Sequence, residues 1–289
     1  MCRLLIANKA SIKAYDAAQC GGLGKLLAHL EKECGGHGNG IATIDHKGKL
    51  QQCAKGVNMS IDEVLEIALN TSNYEYMIFH TRIASVGQIE DERCHPFTFG
   101  NDVLAMNGTL SSLSRPARAI GITDTELAFD LVKGRAFTDV IALLQTLNAV
   151  FVGVTDDGQG KPYAIKNGGD LEEWVDGATE CYDFMFASSF PCKTAGVRRL
   201  PYDFVFADGE RQGTVEPMGP TRRRDEKALA STFMTDREYI GVAGYGASFW
   251  GSDDDDGEDD LYMEYNEGYR EGYAAGFMDG QGTATNPCA

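Results

Sequence analysis

Hydrophobic and polar positions along the chain change period several times, and each change marks an element. Arg3 to Ala7, with Leu4-Leu5-Ile6-Ala7 inside it, has the length of a short buried strand. Leu23, Leu26, Leu27 and Leu30 then fall at i, i+3, i+4 and i+7, the stripe of a helix burying one face. Ile41 to Ile44 returns to strand, and Asp45-His46-Lys47-Gly48 reads as a hairpin turn whose return strand starts at Lys49. Ser60-Ile61-Asp62-Glu63 is a capping box ahead of Val64, Leu65, Ile67 and Ala68, so a helix starts there. Tyr76-Met77-Ile78-Phe79 predicts a buried strand delivering His80-Thr81-Arg82, and Val103 to Met106 another delivering Asn107-Gly108-Thr109. Thr123-Asp124-Thr125-Glu126 is a second capping box, opening a helix over Leu127 to Lys133 that Gly134 stops. Thr138 to Leu147 predicts one more helix with an apolar face.

Beyond Leu147 the pattern is strands and tight turns. Ala149 to Thr155, Pro162 to Ile165, Asp183 to Ala187 and Asp203 to Ala207 read as β, with turns at Asp156-Asp157-Gly158 and Asp208-Gly209. Sheet-type segments alternating with pairs of helices predict helices packed outside two antiparallel sheets, an α+β fold. From Gly219 the chain becomes linker-like, and the acidic run Ser252 to Asp260 has too little apolar surface to fold. Tyr265, Tyr269, Tyr273 and Phe277 then repeat at a four-residue period, each followed three residues later by a glycine. On a helix these would wind as adjacent stripes, but helical glycines cost about 1 kcal/mol each, so only docking would hold such a helix. The expected organisation is a domain over 2–218, a linker over 219–260 and a Tyr/Gly tail over 261–289.

Charge sharpens this picture. The net charge is −17, of which −10 falls on Ser252 to Ala289. The body is ordinarily acidic and has no basic stripe, which excludes a nucleic-acid footprint; Arg222-Arg223-Arg224 is followed at once by Asp225-Glu226. No apolar run reaches the ~20 residues of a membrane span or forms a signal segment, so a soluble, cytoplasmic protein is expected. The eight cysteines show no paired spacing, which points to reduced thiols.

Two glycine-rich stretches fail as nucleotide sites. Gly21-Gly22-Leu23-Gly24-Lys25 has Gln19 where a phosphate loop needs its first glycine and Leu26 where it needs Ser or Thr. Gly35 to Gly40 lies between helix and strand, the reverse of the dinucleotide order, and instead lets backbone pass close to a neighbour. Cys34, His37, His46 and Cys53 fit no zinc-ligand spacing, and no metal is expected.

Cys2 is the chemical focus. Initiator methionine is usually removed before so small a residue, which would leave one residue carrying both a thiol and an α-amine. The amine titrates near ~8, low enough to act as a base at neutral pH, and a thiolate is a strong nucleophile. Met1-Cys2-Arg3-Leu4-Leu5, Gly38-Asn39-Gly40-Ile41-Ala42, His80-Thr81-Arg82-Ile83-Ala84-Ser85-Val86-Gly87, Cys94-His95-Pro96-Phe97, Asn107-Gly108-Thr109 and Thr123 to Glu126 follow one another along the chain. That ordered set resembles the class II glutamine amidotransferases, N-terminal-nucleophile hydrolases with a four-layer αββα fold, and most of all their stand-alone branch. The likeness covers roughly residues 2 to 215.

The resemblance implies roles residue by residue. Cys2 would be the nucleophile and its α-amine the proton shuttle. The Asn107 side chain and the Gly108 N–H would form the oxyanion hole. Arg82 would clamp the substrate α-carboxylate, Asp124 its α-ammonium, and Ser85 lies in the substrate-holding segment. His80 and His95 read as structural, and no cofactor is implied. The chain departs from the family at Ser85-Val86, where many members carry Thr-His, and at Met106, where the residue is often His; neither change removes a catalytic group. Three readings follow. A glutaminase feeding ammonia to a separate synthetase predicts hydrolysis stimulated by that partner. A γ-glutamyl amidohydrolase predicts preference for a γ-glutamyl conjugate. A non-catalytic binding module predicts no acylation of Cys2 by a glutamine-analogue electrophile.

Overall fold

The computed structural model describes residues 2–18, 21–175, 183–191 and 196–212. Its strands in chain order are β1 (Arg3–Asn8), β2 (Asn39–Ile44), β3 (Leu50–Gly56), β4 (Tyr76–Thr81), β5 (Phe97–Phe99), β6 (Asp102–Asn107) and β7 (Val150–Thr155). There follow β8 (Lys161–Lys166), β9 (Glu172–Trp174), β10 (Met185–Ala187), β11 (Val197–Arg199), β12 (Phe204–Ala207) and β13 (Glu210–Gln212). They form a seven-stranded sheet, β11-β9-β10-β1-β4-β2-β3, and a six-stranded sheet, β13-β12-β8-β7-β6-β5. All pairings in both are antiparallel.

Alternation along the strands sorts their side chains into layers, because successive residues of a strand point to opposite faces. Leu4 and Ile6 of β1 meet Val103 and Ala105 of β6 and Val150 and Val152 of β7 in the layer between the sheets. Leu5 and Ala7 point the other way, onto the helical stripe Leu23, Leu26, Leu27 and Leu30. Leu104 and Met106 point away from the first sheet, onto Leu113, Leu127 and Leu144. Helices α1 (Lys9–Ala17), α2 (Gly22–Cys34) and α3 (Ile61–Asn70) therefore cover one outer face, and α4 (Ser111–Ala119), α5 (Asp124–Val132) and α6 (Phe137–Leu144) the other. The result is the four-layer αββα sandwich.

Local chemistry accounts for most boundaries. At α3, Ser60 Oγ accepts from Glu63 N–H at 3.3 Å while Glu63 Oε2 accepts from Ser60 N–H at 2.7 Å, completing the expected box. The Thr123 box does the same, but α5 begins at Asp124 rather than Leu127 and ends at Val132. Gly134 follows at φ +69°. The last expected helix stops at Leu144, short of Leu147: the Asn167 amide donates to the carbonyls of Leu144, Gln145 and Leu147, ending the helix from outside. Asp208 and Gly209 both have positive φ, the backbone of a type I′ turn between β12 and β13. The expected linker 219–260 and tail 261–289, with residues 213–218 of the expected domain, lie outside the described residues. Among the described residues no helix is long and apolar enough to cross a membrane.

Gly40 shows why the glycine-dense stretch is needed. A Cβ there would stand 2.1 Å from His95 O and 2.8 Å from Lys55 Cβ, so the 95–97 segment closes directly over β2. Gly40→Ala is expected to destabilise the fold by roughly 1–3 kcal/mol, as overpacking does. Chemical denaturation would read this, and an unchanged midpoint would show that the His95 carbonyl gives way freely.

Candidate active site

The end of the inter-sheet layer is where the sequence-predicted residues meet. Cys2 immediately precedes β1, whose Leu4 and Ile6 face that layer, and it is buried. Its Sγ lies 3.4 Å from both the N and the O of Ile83, so the thiol is held against the backbone just after Arg82. Burial pushes the thiol pKa up; the Ile83 N–H and the nearby Arg82 charge pull it down, and Asp124 adds to the rise. A thiol in that state needs a base close by to become a nucleophile.

Arg82 continues from β4 and is 2 % exposed. Its Nη1 donates to Gln88 O at 2.8 Å and its Nη2 to Val86 O at 3.1 Å, so the guanidinium shapes the 83–88 loop from inside. Gly87 allows this with φ +79°, where a Cβ would meet Thr123 at 2.8 Å. His37 Nδ1 accepts from Ala84 N–H at 2.9 Å, anchoring the other side of the loop. Ser85 Oγ is 2.9 Å from Thr109 Oγ1, linking the loop to the segment after Asn107.

Asn107 ends β6. Val103 and Ala105 face the inter-sheet layer, so Asn107 faces it too, from the sheet opposite Cys2. Its Nδ2 is 3.3 Å from Ser188 Oγ, and the same Oγ accepts from Leu4 N–H at 3.0 Å. A single hydroxyl therefore joins the Asn107 side chain to the strand that carries Cys2. Gly108 follows at φ +146°, with a Cβ position 2.9 Å from Ala149 Cβ, so a side chain there would be both strained and crowded. Asp124 sits at the first turn of α5, nine-tenths or more buried, and its carboxylate accepts from Leu110 N–H at 2.7 Å and Thr125 N–H at 3.0 Å. Burial raises its pKa, and these backbone bonds oppose the rise. Asp124 thus ties the helix start to the turn that presents Gly108.

Beneath Asn107 lie two neutral histidines. His80 and His95 stack with ring centroids 4.0 Å apart, Nε2 of His80 is 3.0 Å from Met106 O, and His95 Nδ1 accepts from Met106 N–H at 3.4 Å. The pair grips both sides of the Met106 residue, which makes the expected structural role specific. Burial lowers the pKa of His80 to about 3 and that of His95 well below its ordinary value. The unfolded chain binds these protons near pH ~6.5. Stability from the pair is therefore complete above that value and is lost as pH falls toward the folded pKa, by up to about 1.4 kcal/mol per pH unit for each histidine. The unfolding midpoint of the wild type should fall between about pH 6.5 and about pH 4, and more gently in His80→Gln. Equal slopes would show that these rings are not the cause.

The structure brings Cys2, Arg82, Asn107, Gly108, Asp124 and Ser85 to one end of the sandwich, through the bonds and strand faces above. Sequence reasoning missed Ser188 and the anchoring role of His37. Ser188 directly follows a predicted strand, and its partner Leu4 lies far off in sequence, so only the position at a strand end could have marked it. Among the described residues no three His, Cys, Asp or Glu side chains are grouped to hold a metal ion.

No protein-family profile and no curated protein matches the chain. Solved structures similar to it include a glutamine phosphoribosylpyrophosphate amidotransferase from B. subtilis, at 20% identity and TM-score 0.48 over 73% of this chain and 48% of that one. The allosteric regulatory enzyme of purine biosynthesis is similar at 18% identity and TM-score 0.44, over 72% of this chain and 46% of that one. A glutamine aminotransferase class-II domain protein from Silicibacter pomeroyi is similar at 11% identity and TM-score 0.42, over 74% of this chain and 100% of that one. The chain thus spans less than half the length of the first two. These likenesses assign no residue a role here.

Proposed function

We propose that this chain is a class II glutamine amidotransferase or glutaminase, hydrolysing the side-chain amide of glutamine through Cys2 once Met1 has been removed. The observation that carries the reading is the pairing across the inter-sheet layer. The Ser188 hydroxyl joins the buried Asn107 amide of one sheet to the Leu4 N–H of the other, two residues along from the buried Cys2.

In this mechanism the α-amine of Cys2 takes the thiol proton, and Sγ attacks the substrate δ-carbonyl carbon. The oxyanion is received by the Asn107 amide and the Gly108 N–H, whose positive φ sets the turn that presents it. The amine returns the proton to the leaving nitrogen, ammonia departs, and a thioester remains. Water, deprotonated by the same amine, then attacks the thioester and releases glutamate and the thiol. Arg82 binds the α-carboxylate: a guanidinium carries more N–H donors than its two loop carbonyls use. Asp124 receives the α-ammonium with the acceptor sites left beside its two backbone bonds. The released ammonia passes to a separate synthetase.

Intact mass before and after treatment with a glutamine-analogue electrophile tests nucleophile and maturation together. The expected result is a chain lacking Met1 that gains one adduct at Cys2. A chain that retains Met1, or that lacks Met1 and stays unlabelled, overturns the reading. Comparing glutamine with a γ-glutamyl conjugate as substrate then decides between glutaminase and γ-glutamyl amidohydrolase.

A further inference from the structure

The side chain proposed as oxyanion donor carries an inconsistency in its hydrogen bonds. Asn107 is wholly buried, and among the described residues its Oδ1 has no hydrogen-bond partner. Its Nδ2 is 3.3 Å from Ser188 Oγ, so the amide nitrogen faces the serine. Ser188 is buried as well and is gripped by β1 on two sides. Its N–H donates to Leu4 O at 3.0 Å, and Leu4 N–H donates to its Oγ at 3.0 Å. In this arrangement the hydroxyl oxygen receives two N–H groups, its own proton meets no acceptor among the described residues, and a buried acceptor on the neighbouring amide goes unused.

Turning an Asn amide about its last torsion exchanges N and O within the same shape, so the hydrogen-bond network chooses between the two. In the turned state Ser188 Oγ still accepts from Leu4 N–H, and its O–H donates to Asn107 Oδ1. Both the buried acceptor and the hydroxyl proton are then satisfied, as buried polar groups generally are. The Nδ2 protons then take the buried position that Oδ1 holds, away from Ser188.

We propose that Ser188 is the positioning residue of the oxyanion hole, its hydroxyl proton holding Asn107 Oδ1 so that Nδ2 faces the reacting carbonyl. The inference rests on the reading of Cys2 and Asn107 given above. It adds a cause for the donor's orientation that neither residue supplies alone. Donation to Oδ1 also polarises the amide, which strengthens its N–H groups as donors. Because Leu4 lies on the strand that carries Cys2, the same hydroxyl sets the position of the donor relative to the nucleophile.

The test uses the full chain as wild type, Ser188→Ala, Ser188→Thr, Asn107→Ala and the Ser188→Ala/Asn107→Ala double variant. Ser188→Ala should lower kcat for glutamine roughly tenfold or more, a fraction of what losing an oxyanion donor costs, with KM little changed. Ser188→Thr, which keeps the hydroxyl, should recover most of the loss. The double variant should fall no further than Asn107→Ala, and alkylation of Cys2 by iodoacetamide, which needs no oxyanion hole, should proceed at the wild-type rate. Undiminished kcat in Ser188→Ala, or losses that multiply in the double variant, overturns the proposal. Neutron diffraction of the wild type reads the amide directly. Deuterons on the amide atom away from Ser188 support the proposal, and deuterons on the atom facing it overturn the proposal. That readout needs no turnover, so it stands apart from a wild type that hydrolyses neither glutamine nor a γ-glutamyl conjugate, the result that would overturn the function itself.

Discussion

Cys2→Ala is expected to abolish glutamine hydrolysis, with a loss on the order of a thousandfold or more, about 4 kcal/mol in the barrier. The size follows from the role. Without the thiol no thioester forms, and a hydroxide from water must attack the amide unaided. The fold should hardly notice. Cys2 precedes β1, among the described residues its Sγ makes only the long 3.4 Å hydrogen bonds with Ile83, and β1 keeps its pairing to β4 and β10. Glutamate release and the thermal midpoint, measured on one preparation, separate chemistry from folding. Retained hydrolysis at an unchanged midpoint would remove Cys2 from the mechanism.

Asn107→Ala is the second large effect, expected to lower kcat by about a hundred- to a thousandfold, or about 2.7–4 kcal/mol, as loss of one oxyanion donor does. KM should move far less, because the ground-state carbonyl gains little from a donor aimed at the developing oxyanion. The side chain is wholly buried and helps fix Ser188, so some destabilisation accompanies the change. Iodoacetamide alkylation of Cys2 corrects for it: a collapsed site would expose or bury the thiol, and a site lacking only the donor would not. A rise in KM with kcat preserved would instead make Asn107 a substrate-binding residue.

What could be read from the sequence was whatever a few neighbouring residues decide. Both capping boxes were visible because each is closed within four positions, at Ser60 to Glu63 and Thr123 to Glu126. Helix α1 was not visible. It buries little more than Ser11, Ile12 and Tyr15, too few for a stripe, and starts from Asn8, whose side chain caps Ser11 N–H at 3.0 Å. Helix α4 carries Pro116 in its interior and has no side-chain cap, both signals against a helix. Leu113 and Ala117 hold it by packing onto the core instead. The three-residue strands β5, β9, β11 and β13 are shorter than any period can reveal. At the site, the order of motifs pointed to Cys2, Arg82, Asn107, Gly108 and Asp124. Ser188 stayed hidden because its contacts with Leu4 and Asn107 join distant parts of the chain.

The place of β1 in its sheet has a consequence during translation. The strand beside the candidate nucleophile is an interior one, and one of its neighbours, β10, is Met185–Ala187. A ribosome has to deliver most of the folded region before β1 gains that partner. Until then β1 presents a row of unpaired backbone groups on an apolar strand, the kind of edge that recruits other chains. Nascent chains stalled before residue 185 therefore carry β1 as an open apolar edge that the finished sheet covers.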